Sequence, residues 1–237
     1  MDERLNTYEI LRVLVGSHSH GLATPDSDYD YRAVFLVPTQ DFLTVGTGKV
    51  KATQWIEGIE DNTSYELGHF LALSLQSNPS VLEVYHAPLV DFEGRLLADE
   101  ENSQLGASLR DLFPYVWSSE KVYYAFTGYG HNQQKKMLDM DVPGDRKWKY
   151  AVAHIRVLLQ GIQLLKEGLF STQVLPPWQQ VCKEVKQGLF TTGSVIDMVE
   201  GLKKQIEIVY KKVHKEANHG EVNRFLLKVR KEHFDVV

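Results

Sequence analysis

The stretch GSHSHGLATPDSDYD, residues 16–30, decides how this sequence folds at its start. It follows YEILRVLVGS at 8–17, an apolar, β-branched run that is typical of a buried strand entering a turn at Gly16. A second strand-like run, YDYRAVFLVP at 29–38, ends at Pro38. Between the two runs, aspartates stand at alternate positions 26, 28 and 30. The pattern predicts two strands with a group of carboxylates where the second begins.

The three aspartates also fit the first ligand positions of a calcium-binding EF-hand loop. That loop needs glycine at its sixth position and a bidentate glutamate at its twelfth, where this sequence has Tyr31 and Val37. An EF-hand is therefore excluded. Asp28 and Asp30 instead begin the second predicted strand, in which residues two apart share a face. Two carboxylates placed in this way can bridge two Mg²⁺ ions about 4 Å apart, the arrangement that stabilises phosphoryl transfer.

The periodicity of the chain changes near residue 101. Before it, VKATQWIEGIE at 50–60 alternates as a third strand, and TSYELGHFLALSLQSNP at 63–79 has the apolar spacing of a helix. After it, only helical periods follow, and VLPPW at 174–178 is expected to form a turn between helices. We therefore predict an α+β fold in which a small mixed-sheet domain over 1–101 precedes a C-terminal helical bundle over 102–237.

The helical periods of the second part fall into five segments. They are SLRDLF (108–113), EKVYYAFTGYGHNQQKKMLDM (120–140), RKWKYAVAHIRVLLQGIQLLKEG (146–168), GSVIDMVEGLKKQIEIVYKKVHKEA (193–217) and EVNRFLLKVRKEHF (221–234).

Composition and charge limit the class of protein. With 237 residues, 43% of them hydrophobic, the chain can bury a substantial core. Its single cysteine excludes an internal disulfide, and no charged-then-apolar leader opens it, so we expect a cytoplasmic protein that does not cross a membrane. The net charge of −5 is uneven. Residues 1–101 hold 17 acidic and 6 basic residues, net −11, and residues 102–237 hold 14 and 20, net +6. An acidic part can hold divalent cations, and a basic part can attract polyphosphate or nucleic acid.

Gly16-Ser17, ten intervening residues and Asp28-Tyr29-Asp30 resemble the Gly-Ser…Asp-x-Asp signature of the DNA polymerase β-like nucleotidyltransferase superfamily. The resemblance extends over most of the chain to a group of predicted nucleotidyltransferases in bacteria and phages. The segments that carry it are GLATPDSDYDYR (21–32), Tyr-Glu-Leu…Asn-Pro…Leu-Glu (65–83), FTGYGHNQQKKM (126–137) and KYAVAHIRVLLQGIQLL (149–165). It implies that Gly16 and Ser17 seat the phosphates of an NTP, and that Asp28 and Asp30 hold two Mg²⁺ or Mn²⁺ ions.

The same resemblance implies a third carboxylate, which ligates metal and takes the proton from the attacking hydroxyl. Asp61 matches that place best, and Glu60 and Glu57 are the alternatives. A carboxylate beside two cations stays ionised, so it can accept a proton at neutral pH. Another role open to Asp61 is that of N-cap to the helix predicted from residue 63.

Two histidines and one arginine accompany the aspartates. His18 and His20 have no cysteine or further histidine at ligand spacing nearby, which argues against a zinc site. They are expected to line the nucleotide pocket, or in the case of His20 to orient the turn before Gly21. Arg32 falls on the same strand face as Asp28 and Asp30, so we predict that it contacts nucleotide phosphate. The alternative for Arg32 is a salt bridge to those aspartates.

Basic residues of the helical part match the segment at 149–165. Lys149 and Arg156 are seven residues apart, which places them on one face of a helix, whereas His154 falls on a different side. We predict that all three bind substrate. The alternative is ordinary solvated surface charge.

These features predict an enzyme that transfers a nucleotidyl group from an NTP to an acceptor hydroxyl with release of pyrophosphate. The acceptor is left open among an RNA or tRNA end, a protein and a small molecule. The alternative function is that of a non-catalytic, nucleotide-binding regulator with the same fold. Nothing in the sequence indicates an oligomeric state.

Overall fold

The computed structural model describes residues 8–45, 51–56, 62–91, 93–98 and 103–234. Within these ranges four strands form one sheet in the order β1-β2-β4-β3. The strands are β1 (Tyr8–Val15), β2 (Asp30–Leu36), β3 (Thr53–Trp55) and β4 (Thr63–Glu66). β2 pairs antiparallel with β1 and parallel with β4, so the sheet is mixed as predicted. The pairing of β1 with β2 places Val15 opposite Asp30 and brings the two ends of the 16–30 stretch together.

The remaining elements are helical, which confirms the α+β prediction. They are α1 (Gly16–Ser19), α2 (Thr39–Leu43), α3 (Leu67–Leu75), α4 (Pro79–Leu82), α5 (Gln104–Arg110), α6 (Ser119–Leu138), α7 (Gly144–Glu167), α8 (Trp178–Lys186), α9 (Thr192–Tyr210) and α10 (His219–Glu232). In the part of the chain that the structure describes, no helix combines the length and hydropathy that a membrane span requires.

The helix predicted over 63–79 is shorter than expected at both ends, since α3 begins at Leu67 and ends at Leu75. Thr63–Glu66 forms β4 because it pairs with β2 on one side and β3 on the other. The helix begins only at Leu67, where the Glu66 side chain caps it by accepting hydrogen bonds from the backbone N–H groups of Gly68 and His69. A role for Asp61 as N-cap of this helix is therefore wrong. Of the third predicted strand, residues 53–55 are seen as β3, and residues 57–60 lie outside the described ranges.

Helix α8 was not among the predicted elements. The turn expected over 174–178 ends at Pro177, and a nine-residue helix follows at once. Cys182 and Val185, three residues apart, are its buried side chains. Two consecutive prolines obscured the start of a short amphipathic helix that packs against α7.

One cluster of buried side chains links the sheet to the helices. It contains Val34 of β2, Phe70 of α3, Phe126 of α6 and Leu158 of α7, among others. Helix α10 returns to the sheet end of the molecule, where Arg230 donates a hydrogen bond to the carbonyl of Val37 at 2.9 Å. The predicted domain boundary at 101 falls outside the described residues, and the division into two domains stays a prediction.

Candidate active site

A cavity of 660 Å³ lies where the start of β2 faces α7 and α8. Its volume is in the range of about 300–1,000 Å³ that holds whole small molecules. One wall carries Gly16, Ser17, Asp26, Asp28 and Asp30, and the other carries Lys149, Arg156 and Lys186. The cavity therefore has an acidic wall from the N-terminal part of the chain and a basic wall from the helical part.

The acidic wall depends on a close approach between Gly16 and Asp30. Gly16 has a φ of +67°, and a Cβ built on it would lie 2.1 Å from the Asp30 Oδ2 atom. Any side chain at position 16 would therefore displace this carboxylate. Asp28 precedes β2 and is exposed, and Asp30 is half-buried. Both line the cavity, but the second strand begins only at Asp30, so Asp28 reaches the cavity from the preceding loop and not from the strand predicted to hold it.

His18 stabilises the loop that joins the two strands. Its Nε2 atom lies 3.1 Å from the carbonyl oxygen of Ser27, and its ring stacks on Tyr29 at a centroid distance of 4.0 Å. It is not among the residues that line the cavity, although the sequence suggested that it would be. Within the described ranges, no group of three or more His, Cys, Asp and Glu side chains could hold a metal ion.

His20 lines the cavity, as the sequence suggested, and forms a buried pair with Glu83. The His20 Nε2 atom is 2.5 Å from the Glu83 Oε1 atom. Burial alone would raise the pKa of the Glu83 carboxyl, but His20, Arg156 and Arg32 together lower it to about 2. Burial lowers the pKa of His20, and Arg156 lowers it further. At neutral pH a neutral imidazole thus donates a hydrogen bond to an ionised carboxylate.

Arg32 is half-buried, lies beside this pair and is not among the residues that line the cavity. Its Nη1 atom is 3.6 Å from the Glu83 Oε2 atom and donates a hydrogen bond to the carbonyl of Ser80 at 3.3 Å. The prediction that Arg32 contacts nucleotide phosphate is not supported by this placement. Sequence reasoning missed Glu83 as its partner, since the two residues are 51 positions apart and meet only in the folded chain.

The basic wall combines two helices. Lys149 and Arg156 share one face of α7, as their spacing predicts, and Arg156 Nη1 donates a hydrogen bond to Gln160 Oε1 at 2.9 Å. Lys186 comes from α8 and donates a hydrogen bond to the carbonyl of Leu22 at 3.0 Å. Burial and the nearby charge of Lys149 lower the pKa of Lys186. Lys186 was missed because α8 itself was missed.

His154 lies in the core and not in the cavity. It is 1% exposed, and its ring lies against Gly130 of α6. Burial, followed by the charge of Lys203, lowers its pKa to about 4. Two residues of helix separate it from Arg156 by about 200° of rotation, so the two side chains leave α7 on different sides. The prediction that His154 binds substrate is therefore wrong in its geometry.

The three candidates for a third carboxylate, Glu57, Glu60 and Asp61, lie outside the described residues. The chain is described again from Asn62, whose Oδ1 atom accepts a hydrogen bond from the Tyr31 backbone at 2.8 Å. Tyr31 directly follows Asp30. The chain therefore enters β4 beside the acidic wall of the cavity.

Comparison with known proteins agrees with this fold. A family model described as RlaP, RNA repair pathway DNA polymerase beta family, matches residues 3–229. The small mixed sheet followed by helices is consistent with a polymerase β-like nucleotidyltransferase. The chain belongs to the RNA repair pathway DNA polymerase beta family. This membership supports activity of the nucleotidyltransferase type.

The chain also resembles an uncharacterized 38.9 kDa protein in the nrdC-mobD intergenic region of Enterobacteria phage T4. The two are 28% identical over 87 residues, which is 33% of this chain and 26% of the phage protein. The match thus spans about a quarter of the phage protein's own length. No solved structure matches the chain.

Proposed function

We propose that this protein transfers a nucleotidyl group from an NTP to a hydroxyl of RNA in a metal-dependent reaction. The observation that carries the proposal is the cavity itself, in which Asp28 and Asp30 face a wall of three basic side chains. An NTP is a polyanion that is bound as a complex with divalent cations, so it can use a basic wall for its phosphates and an acidic wall for the cations. Lysine and arginine side chains bind phosphate directly, whereas carboxylates bind it only through a shared cation.

Asp28 and Asp30 suit a divalent cation such as Mg²⁺ or Mn²⁺. Both supply carboxylate oxygens, which are the ligands these ions prefer. The close fit of Asp30 over the Gly16 backbone limits the positions that its carboxylate can take. When bound, two such ions would stabilise negative charge on the attacking and leaving oxygens.

The protein's own groups would share the remaining steps. Lys149, Arg156 and Lys186 bind the β- and γ-phosphates and neutralise the charge that develops on the leaving pyrophosphate. The Ser17 hydroxyl donates a hydrogen bond to phosphate. A carboxylate from residues 57–61 takes the proton of the acceptor hydroxyl, whose oxygen bonds to the α-phosphorus as the bond to the bridging oxygen breaks. The hydrogen bond of Asn62 to Tyr31 supports this choice, because it brings the chain back beside Asp30.

RNA is the preferred acceptor because the family description names an RNA repair pathway. A tRNA end is one form of such an acceptor. The basic excess of residues 102–237 is compatible with a polyanionic partner. A protein or small-molecule acceptor remains the alternative that the test must include.

The test is transfer of label from each α-³²P-labelled NTP, with Mg²⁺ or Mn²⁺, to RNA with a free 3′-hydroxyl. The same RNA with a blocked 3′ end, a protein extract and a small-molecule fraction serve as the other acceptors. Asp28→Asn and Asp30→Asn should each reduce transfer by at least about a hundredfold and leave the fold intact. Asp197→Asn, an exposed change on α9, is the control and should keep full activity.

Two results would contradict the proposal. Full transfer by both aspartate variants would show that Asp28 and Asp30 do not form a metal site required for transfer. An NTP that binds to the wild-type protein without any transfer, under every acceptor tried, would favour the nucleotide-binding regulator instead.

A further inference from the structure

A second, smaller cavity adjoins the active site. It has a volume of 140 Å³ and lies between the C-terminal half of α7 and residues 171–178. Arg156 lines both cavities, so the smaller one begins where the basic wall ends. Its volume is below the range of about 300–1,000 Å³ that holds a whole small molecule. It therefore suits one part of a ligand whose remainder occupies the larger cavity.

The lining of the smaller cavity is neutral apart from Arg156. Trp178, Leu159 and Pro176 supply aromatic and apolar surface. Gln163 and Gln173 also line it, and neither carboxamide has a hydrogen-bond partner within the described part of the chain. Each carboxamide offers a donor and an acceptor, so both are available to a ligand.

Gln160 supports the cavity from within. Its carboxamide accepts a hydrogen bond from Arg156 and donates one to the carbonyl of Ser171 at 3.0 Å. The first bond orients the side chain that the two cavities share. The second ties the start of residues 171–178 to α7.

This lining selects among the parts of possible ligands. A phosphate group favours several cations, and Arg156 is the one cation among the described lining residues. An amine requires carboxylates, and no described lining residue carries one. A flat, neutral ring with donors and acceptors on its edge requires an aromatic surface and carboxamides. Glutamine pairs with base edges, and bases stack on tryptophan.

We propose that the smaller cavity binds a nucleobase, stacked on or beside Trp178 and hydrogen-bonded by Gln163 and Gln173. The identity of the ligand rests on the proposed function, because a nucleotide is the substrate whose phosphates would occupy the larger cavity. The base belongs either to the NTP or to the end of the RNA acceptor, and the experiment distinguishes these two sources.

Binding is measured by isothermal titration calorimetry, so that no transfer is required. The ligands are each NTP with Ca²⁺ in place of Mg²⁺, inorganic tripolyphosphate, which lacks a base, and a short single-stranded RNA. The variants are Trp178→Ala, Trp178→Phe and Gln163→Leu. Gln163 is half-buried on the helix surface, and leucine keeps its size, so this variant tests the cavity even if Trp178→Ala fails to fold.

For an NTP base, Trp178→Ala and Gln163→Leu should weaken NTP binding by about tenfold and reduce the preference among the four NTPs. Trp178→Phe should restore most of the affinity because it keeps a stacking surface. Tripolyphosphate should bind all variants equally. If RNA binding weakens instead, and NTP binding does not, the base is that of the acceptor.

The inference is overturned if neither NTP nor RNA binding changes in these variants, or if tripolyphosphate binding falls as much as NTP binding. Either result leaves the proposed function standing. The opposite case is a wild-type protein that transfers no label and whose variants lose binding of the base alone. That result would contradict the proposed function and support the nucleobase site. A wild-type protein that binds neither NTP nor RNA would contradict both the proposed function and the nucleobase site.

Discussion

Gly16 meets two requirements that no other residue type satisfies together. Its φ of +67° lies in the left-handed region, and the Asp30 carboxylate lies where its Cβ would be. Gly16→Ala should therefore cost about 1–2 kcal/mol of stability from the backbone alone. It should also reduce transfer by at least about a hundredfold, because it displaces Asp30, a proposed metal ligand. Urea unfolding and the transfer assay measure the two effects.

Gly168 provides the matched control for this change. It has a φ of +70° at the end of α7, and nothing lies within 4 Å of its virtual Cβ. Gly168→Ala should show the same loss of stability without loss of transfer. Equal loss of transfer in both variants would mean that Gly16 matters only for its backbone.

Glu83 should make stability depend on pH in a specific window. Its folded pKa of about 2 is below the ordinary value of 4.5, so its contribution is present above pH 4.5 and is lost as the pH falls toward 2. Glu83→Gln should cost about 3 kcal/mol at pH 7, because it removes a buried carboxylate that accepts a hydrogen bond from His20 and lies near the half-buried Arg32 and Arg156. The stability difference from wild type should shrink as the pH is lowered through this window, as urea titrations at several pH values would show.

The same urea titrations test the contribution of His20 and a control substitution at Glu93. The pKa of His20 is also lowered, so the unfolded state binds its proton first and stability should decline as the pH falls below 6.5 in both proteins. Glu93→Gln, which changes an exposed carboxylate, should have no effect on either profile. A constant difference between wild type and Glu83→Gln from pH 7 to pH 2 would contradict the assignment.

At the scale of elements, helix α8 carries one lysine that lines the cavity and another that is exposed to solvent. Lys186 lines the cavity, whereas Lys183, one turn earlier, is exposed. Lys186→Met should raise the KM for NTP by about tenfold, since one charge of the proposed phosphate site is lost, and the effect should decrease at high salt. Lys183→Met should leave the KM unchanged. Steady-state kinetics at two salt concentrations test both, and an equal effect of the two changes would exclude a local role for Lys186.

At the scale of the whole molecule, the uneven charge of the sequence corresponds to the two walls of one cavity. Its aspartates come from the part with net charge −11, and its lysines and arginine come from the part with net charge +6. The site is thus assembled only when residues 16–30 contact α7 and α8. Charges that would repel within either part attract one another across the cavity.

Helix α10 joins the end of the chain to the sheet through Arg230. Its guanidinium pairs with Glu66, donates a hydrogen bond to the carbonyl of Val37 and lies over the Phe42 ring. The side chain of Arg230 is only 15% exposed, and that of Glu66 only 5%. Arg230→Met should lower the free energy of unfolding by about 3 kcal/mol, because it leaves Glu66 buried without its partner. Chemical denaturation measures this loss.

Arg224 on the same helix is the control. It pairs with Glu221 at the surface, where its side chain is 71% exposed, so Arg224→Met should cost less than about 0.5 kcal/mol. Similar losses in the two variants would mean that α10 contributes to stability through its helical content and not through contact with the sheet.

The sequence by itself determined the features that depend on local spacing. Apolar runs on either side of Gly16 predicted β1 and β2, and these strands form. Asp28 and Asp30 share one cavity wall although only Asp30 lies in β2, and the spacing of seven placed Lys149 and Arg156 on the other. Such relations follow from the periods of strand and helix, which are properties of the backbone and need no distant contact.

Only the tertiary structure decided which distant groups meet. Residues 63–66 became a strand because β2 and β3 offered hydrogen-bond partners on both sides, which outweighed a helical apolar pattern. Arg32 found Glu83 instead of a position in the cavity, and Lys186 reached the carbonyl of Leu22, 164 residues away. His154 was buried because α6 covers its side of α7. The pairing and packing of elements far apart in sequence decide these contacts, and no local period encodes them.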